Sequence, residues 1–325
     1  MGSGRRTPKS RWTAHAILGG MRLALGFVIV SLLVGAPRPQ LAQPGTHWCP
    51  MHPDVRGGAG DKCGICGMAL VPRPADLDAY WLDLAEGSRA PRPGRHDLLR
   101  FVIRNPRDDS AVRSFARIHE RNLHLFVVSH DLDYFAHLHP ELKGDGTFEQ
   151  ALTLPRAGAY RLIADVEPEG AAPQVLQKSI VTAGYRGSLR PSADPAADVA
   201  DKIVDGMRLR AIVSAPVAGR EQLVTFEVED AATAKPIDDL EPFLGAPGHL
   251  LIVSSDLQTA MHSHPVAGIS NAAGPRVAFQ VMFPRAGAYR MWAQVQRRGR
   301  VSTAAFTVRA LARAPQPEVS RAARR

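Results

Sequence analysis

Two groups of residues in this 325-residue chain could hold a metal ion. The three cysteines, Cys49, Cys63 and Cys66, all fall within eighteen residues. Cys49 and His52 make a Cys-x-x-His pair. Ten residues later Cys63 and Cys66 make a Cys-x-x-Cys pair. A spacing of two residues lets both side chains of a pair turn onto one ion, and two such knuckles supply three thiolates and an imidazole, a four-coordinate set suited to Zn²⁺. Thiolates also suit Cu(I), and Met51 and Met68 place a soft thioether beside each knuckle. An odd cysteine count does not make a paired disulfide framework.

The second group is histidine. His119, His124, His137 and His139 lie in one stretch, and His249, His262 and His264 lie in another. In a strand, residues two apart share a face, so His137 and His139 project together, as do His262 and His264. His124 or His249 from a neighbouring strand would complete a three-histidine set. His119 is a candidate fourth ligand in the first stretch, where the second has Leu244. Neutral imidazoles suit Cu(II), Zn²⁺ or Ni²⁺. The competing reading is structural: each His-x-His-Pro segment satisfies buried backbone groups or shapes a strand end. A blue-copper site requires a cysteine, and none exists beyond Cys66.

Residues 47–72, HWCPMHPDVRGGAGDKCGICGMALVP, resemble the heavy-metal-binding domain carried by copper- and silver-transporting ATPases and by periplasmic adaptor subunits of metal efflux pumps. The matching pieces are Cys49-Pro50-Met51-His52-Pro53, Cys63-Gly64-Ile65-Cys66-Gly67-Met68 and Leu70-Val71-Pro72. Gly64 stands where that family usually has proline, a change expected in loop stiffness rather than in ligation. The resemblance implies a bound Cu or Zn ion on Cys49, Met51, His52, Cys63, Cys66 and Met68. An ion that merely staples a module too small for its own core is the alternative.

The histidines sit in a repeat. A shift of 125 carries HLFVVSHDL (124–132) onto HLLIVSSDL (249–257), and His137-Leu138-His139-Pro140 onto His262-Ser263-His264-Pro265. After a four-residue insertion, PRAGAYR at 155–161 returns at 284–290. Copies of about a hundred residues are tandem domains rather than solenoid units. Candidate strands cover 98–104, 123–129, 148–154 and 160–166, then 222–229, 249–254, 276–283 and 289–295, separated by Gly, Pro and Asp turns. Short strands without an amphipathic helix predict a mainly β chain built as a small knuckle module followed by two repeated β-sandwiches. The Pro-x-Ala-Gly-Ala-Tyr turn resembles those of immunoglobulin-like and cupredoxin-like sandwiches. The expected organisation is signal peptide or N-terminal anchor (1–36), linker (37–46), metal module (47–72), first sandwich (76–185), linker (186–200), second sandwich (201–310) and a basic, disordered tail (311–325).

Residues 1–22 are basic, and LALGFVIVSLLVG at 23–35 carries no charge. That run is short for a bilayer span and suits a signal h-region. The protein is therefore expected in the periplasm or extracytoplasmic envelope, with a membrane attachment only if the segment stays uncleaved. The formal charge of +9 resides in the tails, +5 within 1–22 and +4 within 309–325, leaving a neutral body. A nucleic-acid partner would call for a basic face on the folded part, so none is expected. No G-x-S-x-G, H-E-x-x-H or phosphate loop is present, and no enzymatic activity is expected. The expected partners are metal ions and a metal-efflux or metal-delivery protein; an envelope scaffold with a purely structural zinc module is the alternative. Val34-Gly35-Ala36 and Ala42 offer cleavage sites. N-terminal sequencing of envelope material should find a mature chain starting near Pro37 or Gln43, whereas full-length protein in the cytosol would contradict export.

Overall fold

The runs HLFVVS (124–129) and HLLIVS (249–254) are apolar at nearly every position, and the structure shows why. The computed structural model describes residues 47–49, 52–58, 60–62, 69–72, 79–191, 195–266, 270 and 274–313. The expected leader and first linker lie outside these residues, as do most of the basic tail and, among the module's candidate ligands, Met51, Cys63, Cys66 and Met68. The described chain is all β and divides into two units, Met1–Val71 and Pro72–Arg325.

In the first unit, β1 (His47–Cys49), β2 (His52–Gly57) and β3 (Val71–Pro72) form a sheet in the order β2-β1-β3. Cys49, at the end of β1, is the register partner of His52, at the start of β2. A bridge between Lys62 and Ala69 brackets the chain segment that contains Cys63 and Cys66.

The second unit holds two sandwiches of the same construction. The first copy runs β4 (Trp81–Leu84), β5 (His96–Arg104), β6 (Leu123–Ser129), β7 (Phe135–Leu138), β8 (Glu141–Leu142), β9 (Thr147–Thr153), β10 (Ala159–Val166) and β11 (Gln174–Val181). Its sheets are β4-β5-β9-β8 and β11-β10-β6-β7. The second copy runs β12 (Lys202–Val204), β13 (Met207–Val213), β14 (Glu221–Asp230), β15 (His249–Ser254), β16 (Ala260–Ser263), β17 (Arg276–Met282), β18 (Gly287–Arg297) and β19 (Arg300–Ala310), in sheets β12-β13-β14-β17 and β16-β15-β18-β19. All eight strands expected from the sequence are present. The short edge strands β7, β8 and β16 were not expected, because two to four residues carry too little alternation to register. β11 and β19, which are longer, were not expected either.

Each sandwich closes its own core. Phe101, Leu125, Val127, Phe148, Tyr160 and Leu162 fill the first, and Phe226, Leu250, Ile252, Phe279, Tyr289 and Phe306 fill the second. In both copies the tyrosine at the start of the strand, Tyr160 or Tyr289, donates its hydroxyl to the carbonyl of Arg156 or Arg285, 2.8 Å away in each case. The shared PRAGAYR turn is thus tied by the same part-buried hydrogen bond in both copies.

A third apolar cluster belongs to neither core. Phe126, Val128, Leu132 and Ile163 from the first copy pack with Leu251, Val253, Leu257 and Trp292 from the second. These are equivalent residues of the two repeats. Strands β6 and β15 are buried at every position, with alternate side chains pointing into their own sandwich and into this layer. The sheets β11-β10-β6-β7 and β16-β15-β18-β19 therefore pack on each other across a local pseudo-two-fold axis, an isologous arrangement within one chain. Trp292 stacks on Phe135 at 5.1 Å between centroids. Replacing Trp292 with Ala should cost ~3–5 kcal/mol, the range for emptying a buried aromatic site, measured by denaturant unfolding; an unchanged midpoint would show that the layer contributes little.

Candidate metal centre

At one end of this inter-sandwich layer the side chains change from apolar to imidazole. His124 lies on β6, with Phe126 and Val128 following on the same face. His137 lies on β7, in register with Phe126, and His139 follows the end of that strand. In the second copy His249 opens β15, His262 lies on β16 in register with Leu251, and His264 follows. Within each copy the three rings converge: one ring nitrogen from each of His124, His137 and His139 lies within 4.8 Å of the others, and the same holds for His249, His262 and His264.

The hydrogen bonds of four of the six rings show which nitrogen of each is left free. The carbonyl of Ile118 lies 3.0 Å from His124 Nε2, and that of Phe243 lies 2.9 Å from His249 Nε2. A carbonyl only accepts, so Nε2 carries the proton in both rings and Nδ1 is left with a lone pair. His137 Nδ1 donates to Gln294 Oε1 at 2.7 Å, and His262 Nδ1 donates to Asp165 Oδ2 at 2.7 Å. Their Nε2 atoms are then unprotonated as well. Yet His124 Nδ1 and His137 Nε2 are 2.9 Å apart, and His249 Nδ1 and His262 Nε2 are 3.1 Å apart. In each pair two lone pairs face each other with no proton between them. His139 Nε2 and His264 Nε2 are buried without a hydrogen-bond partner. Each triad thus presents two unshared lone pairs, with the unpartnered Nε2 of His139 or His264 beside them, to one small volume, a donor set suited to a cation.

Electrostatics keep the rings neutral. Burial lowers the pKa of His124, His137 and His262, pushes His139 and His249 down to about 4, and pushes His264 down to about 2. Repulsion among the rings adds to this in all six, and in His124 and His249 the hydrogen bond to a backbone carbonyl opposes burial more strongly than that repulsion adds to it. The same burial raises the Asp165 carboxyl. Phe126 stacks on His137 at 4.2 Å and meets His262 edge-on at 4.8 Å, while Phe243 lies edge-on to His249 at 5.1 Å. A surface cleft lined by Arg117, Glu120, Arg121, Asn122, His139 and Pro140 reaches the first triad.

The outer partners are exchanged between copies. Asp165 lies beside His124 in its own sheet but binds His262 of the other copy; Gln294 lies beside His249 but binds His137. Asp165 and Gln294 occupy equivalent positions, four residues after the PRAGAYR turn. Gln294 makes a second bond, Nε2 donating to Thr303 Oγ1 at 3.0 Å. The two triads abut, with His124 and His262 centroids 5.2 Å apart and His137 and His249 5.6 Å apart.

His119 is placed differently from the expectation. It was expected beside its own copy's triad, but its ring stacks on His264 of the second copy at 3.7 Å, with His124 at 6.4 Å. The cause is a tight turn. Ile118 and Arg121 exchange backbone hydrogen bonds, and His119 and Glu120 both have positive φ, 45° and 66°. This is the two-residue turn matched to strand twist, and it carries the His119 ring over the neighbouring sheet. The second copy repeats the turn with Leu244 and Gly245. His130, the other histidine near β6, bonds to Leu189 O and Ser179 Oγ and takes no part. Cys49 and His52 are register partners in the first unit. Sequence reasoning missed Asp165, Gln294, Phe126 and Phe243, since a single Asp or Gln in a strand gives no signal until its partner copy is placed.

The fold and the centre define a duplicated β-sandwich protein with paired histidine sets, preceded by a metal module. The chain belongs to the family of the domain of unknown function DUF8832, which matches twice, at residues 75–181 and 202–312, and it carries a heavy metal binding domain at residues 47–73. No curated protein matches it. Among solved structures it is similar to invasin, a bacterial integrin-binding protein (13% identity, covering 72% of this chain and 40% of that one, TM-score 0.22), and to a two-domain fibronectin type-III segment of chicken tenascin (12% identity, 70% and 97%, TM-score 0.20). At these scores the likeness says nothing of what this chain binds. Removing the acceptor in Gln294→Ala strands the buried His137 Nδ1–H and should cost ~1–3 kcal/mol in metal-free protein; a denaturant midpoint equal to wild type would contradict the hydrogen bond.

Proposed function

We propose that this chain is an exported envelope protein that binds and hands on heavy-metal ions, copper or a comparable soft or borderline ion, without itself catalysing a reaction. The observation that carries the reading is the pair of facing lone pairs in each triad, an arrangement that repels when empty and is relieved by a cation. The heavy metal binding domain at residues 47–73 supports the same ligand class from an independent part of the chain. Its thiolates and thioethers suit a reduced, soft ion, and the imidazoles suit an oxidised, borderline one. A protein with both sets can hold copper in either state. A metal-efflux or metal-delivery protein is the fitting partner, and the basic, apolar N-terminal segment supports an extracytoplasmic location.

The test is metal analysis of the full chain purified anaerobically without a tag, then supplied with Cu(I), Cu(II) or Zn²⁺. The wild type should bind copper in excess of one equivalent. Cys63→Ser with Cys66→Ser should lose about one equivalent and unfold the small module, because binding and folding are coupled there. A chain that binds only a single Zn²⁺, lost in that double variant, would overturn copper handling in favour of a scaffold with a structural ion.

A further inference from the structure

The two triads are related by a pseudo-dyad, but their supports differ. His262 is held by a carboxylate, Asp165, at 2.7 Å, and His137 by a neutral amide, Gln294, at the same distance. His264 is covered by the His119 ring at 3.7 Å, whereas the second copy's turn has Leu244 where the first has His119. We infer that the triads form one two-ion centre with unequal halves: the half made by His249, His262 and His264, braced by Asp165 from the other copy, takes the first ion, and the half made by His124, His137 and His139, braced by Gln294, takes the second.

This rests on the reading of the triads as metal sites and adds their order and coupling. Three physical effects point the same way. A carboxylate accepting the remaining N–H of a ligating histidine raises the basicity of the ligand nitrogen and fixes its ring, and loss of such a partner typically costs 10–100-fold in affinity. An amide orients the ring without adding charge. The carboxylate also lies in the layer where positive charge accumulates, so it offsets the charge of the first ion. Finally, rings of opposite triads lie 5.2–5.9 Å apart. Two dications there repel across a partly buried layer, and the second binds more weakly. Asp165 and Gln294 act through His262 and His137 as positioning residues; the ligands are the six histidines. Because each brace crosses the sheet–sheet layer, filling either half ties the two sandwiches together.

The experiment uses the full chain carrying Cys49→Ser, Cys63→Ser and Cys66→Ser, titrated with Cu(II) against a weak competing chelator and followed by electron paramagnetic resonance. Two equivalents are expected, the second bound about 10–100-fold more weakly. Asp165→Asn, which keeps shape and a hydrogen-bonding oxygen, should weaken the first step toward the second. Gln294→Glu should strengthen the second step toward the first. His264→Ala should remove the tight step and His139→Ala the weak one. On loading the second equivalent, the Cu(II) signal should broaden or lose intensity through coupling of neighbouring ions, and His139→Ala should keep an undisturbed one-ion signal. Two equal steps insensitive to Asp165→Asn and Gln294→Glu, or an uncoupled two-spin signal, would overturn the unequal two-ion centre while leaving metal binding by the triads intact. No Cu(II) bound in this background would overturn both.

Discussion

A strand buried on both faces must find cover for the second face, and this constraint organises the whole second unit. β6 and β15 each send alternate side chains into their own sandwich, which leaves Phe126 and Val128 on one copy and Leu251 and Val253 on the other facing outward. Water is a poor neighbour for such a surface. The two copies cover each other, and because the surfaces are repeats of one sequence, equivalent residues meet across a pseudo-dyad. The histidines lie on the same strands and the same faces, so the apolar packing that joins the sandwiches also brings six imidazoles into one layer. Position follows from hydrophobic burial, and chemistry follows from position.

Burial of that many imidazoles is costly unless their polar atoms are paired. One nitrogen of each of the four rings His124, His137, His249 and His262 is paired with a carbonyl, carboxylate or amide oxygen. The other nitrogens converge without protons to share. An apolar replacement at these positions would have extended the neighbouring Phe126, Leu251 and Trp292 cluster and given a simpler interface. The sequence instead keeps polar groups in a layer where they repel. Such local conflict in an otherwise consistent fold is the mark of a site kept for something other than stability.

Much of this could be read from the residues alone. The repeat, the eight principal strands and the two histidine sets were legible because alternation has a fixed period and because identical spacing recurs at a shift of 125. What could not be read was the relation between the copies. A run such as HLFVVS says that both faces of β6 are apolar, but not what covers the outer one. Asp165 and Gln294 therefore carried no signal, and His119, a candidate for its own copy's triad, lies against His264 of the other. Its placement depends on a turn with two residues of positive φ, His119 and Glu120, which neither residue type announces as glycine or asparagine would. The edge strands β7 and β16 were also hidden, although they carry His137 and His262, since four residues are too few to show a period.

Duplication accounts for the likeness of the two triads, so it is their differences that carry information. Position for position, the copies differ at four of the places that touch the centre: Asp165 against Gln294, His119 against Leu244, Phe126 against Leu251, and Ile118 against Phe243. The first change keeps an oxygen acceptor on the same ring nitrogen while removing a charge. The second adds a ring over His264 on one side alone. Drift without constraint would as readily have lost the acceptor, leaving a buried N–H unpaired at a cost comparable to a whole hydrogen bond. Retaining the geometry while splitting the electrostatics gives two sites of one shape and two strengths. In a single site, tight capture and ready release oppose each other. In a pair of touching sites of unequal strength, occupancy of the weaker is felt by the stronger, and an ion held firmly can still be given up when a second arrives.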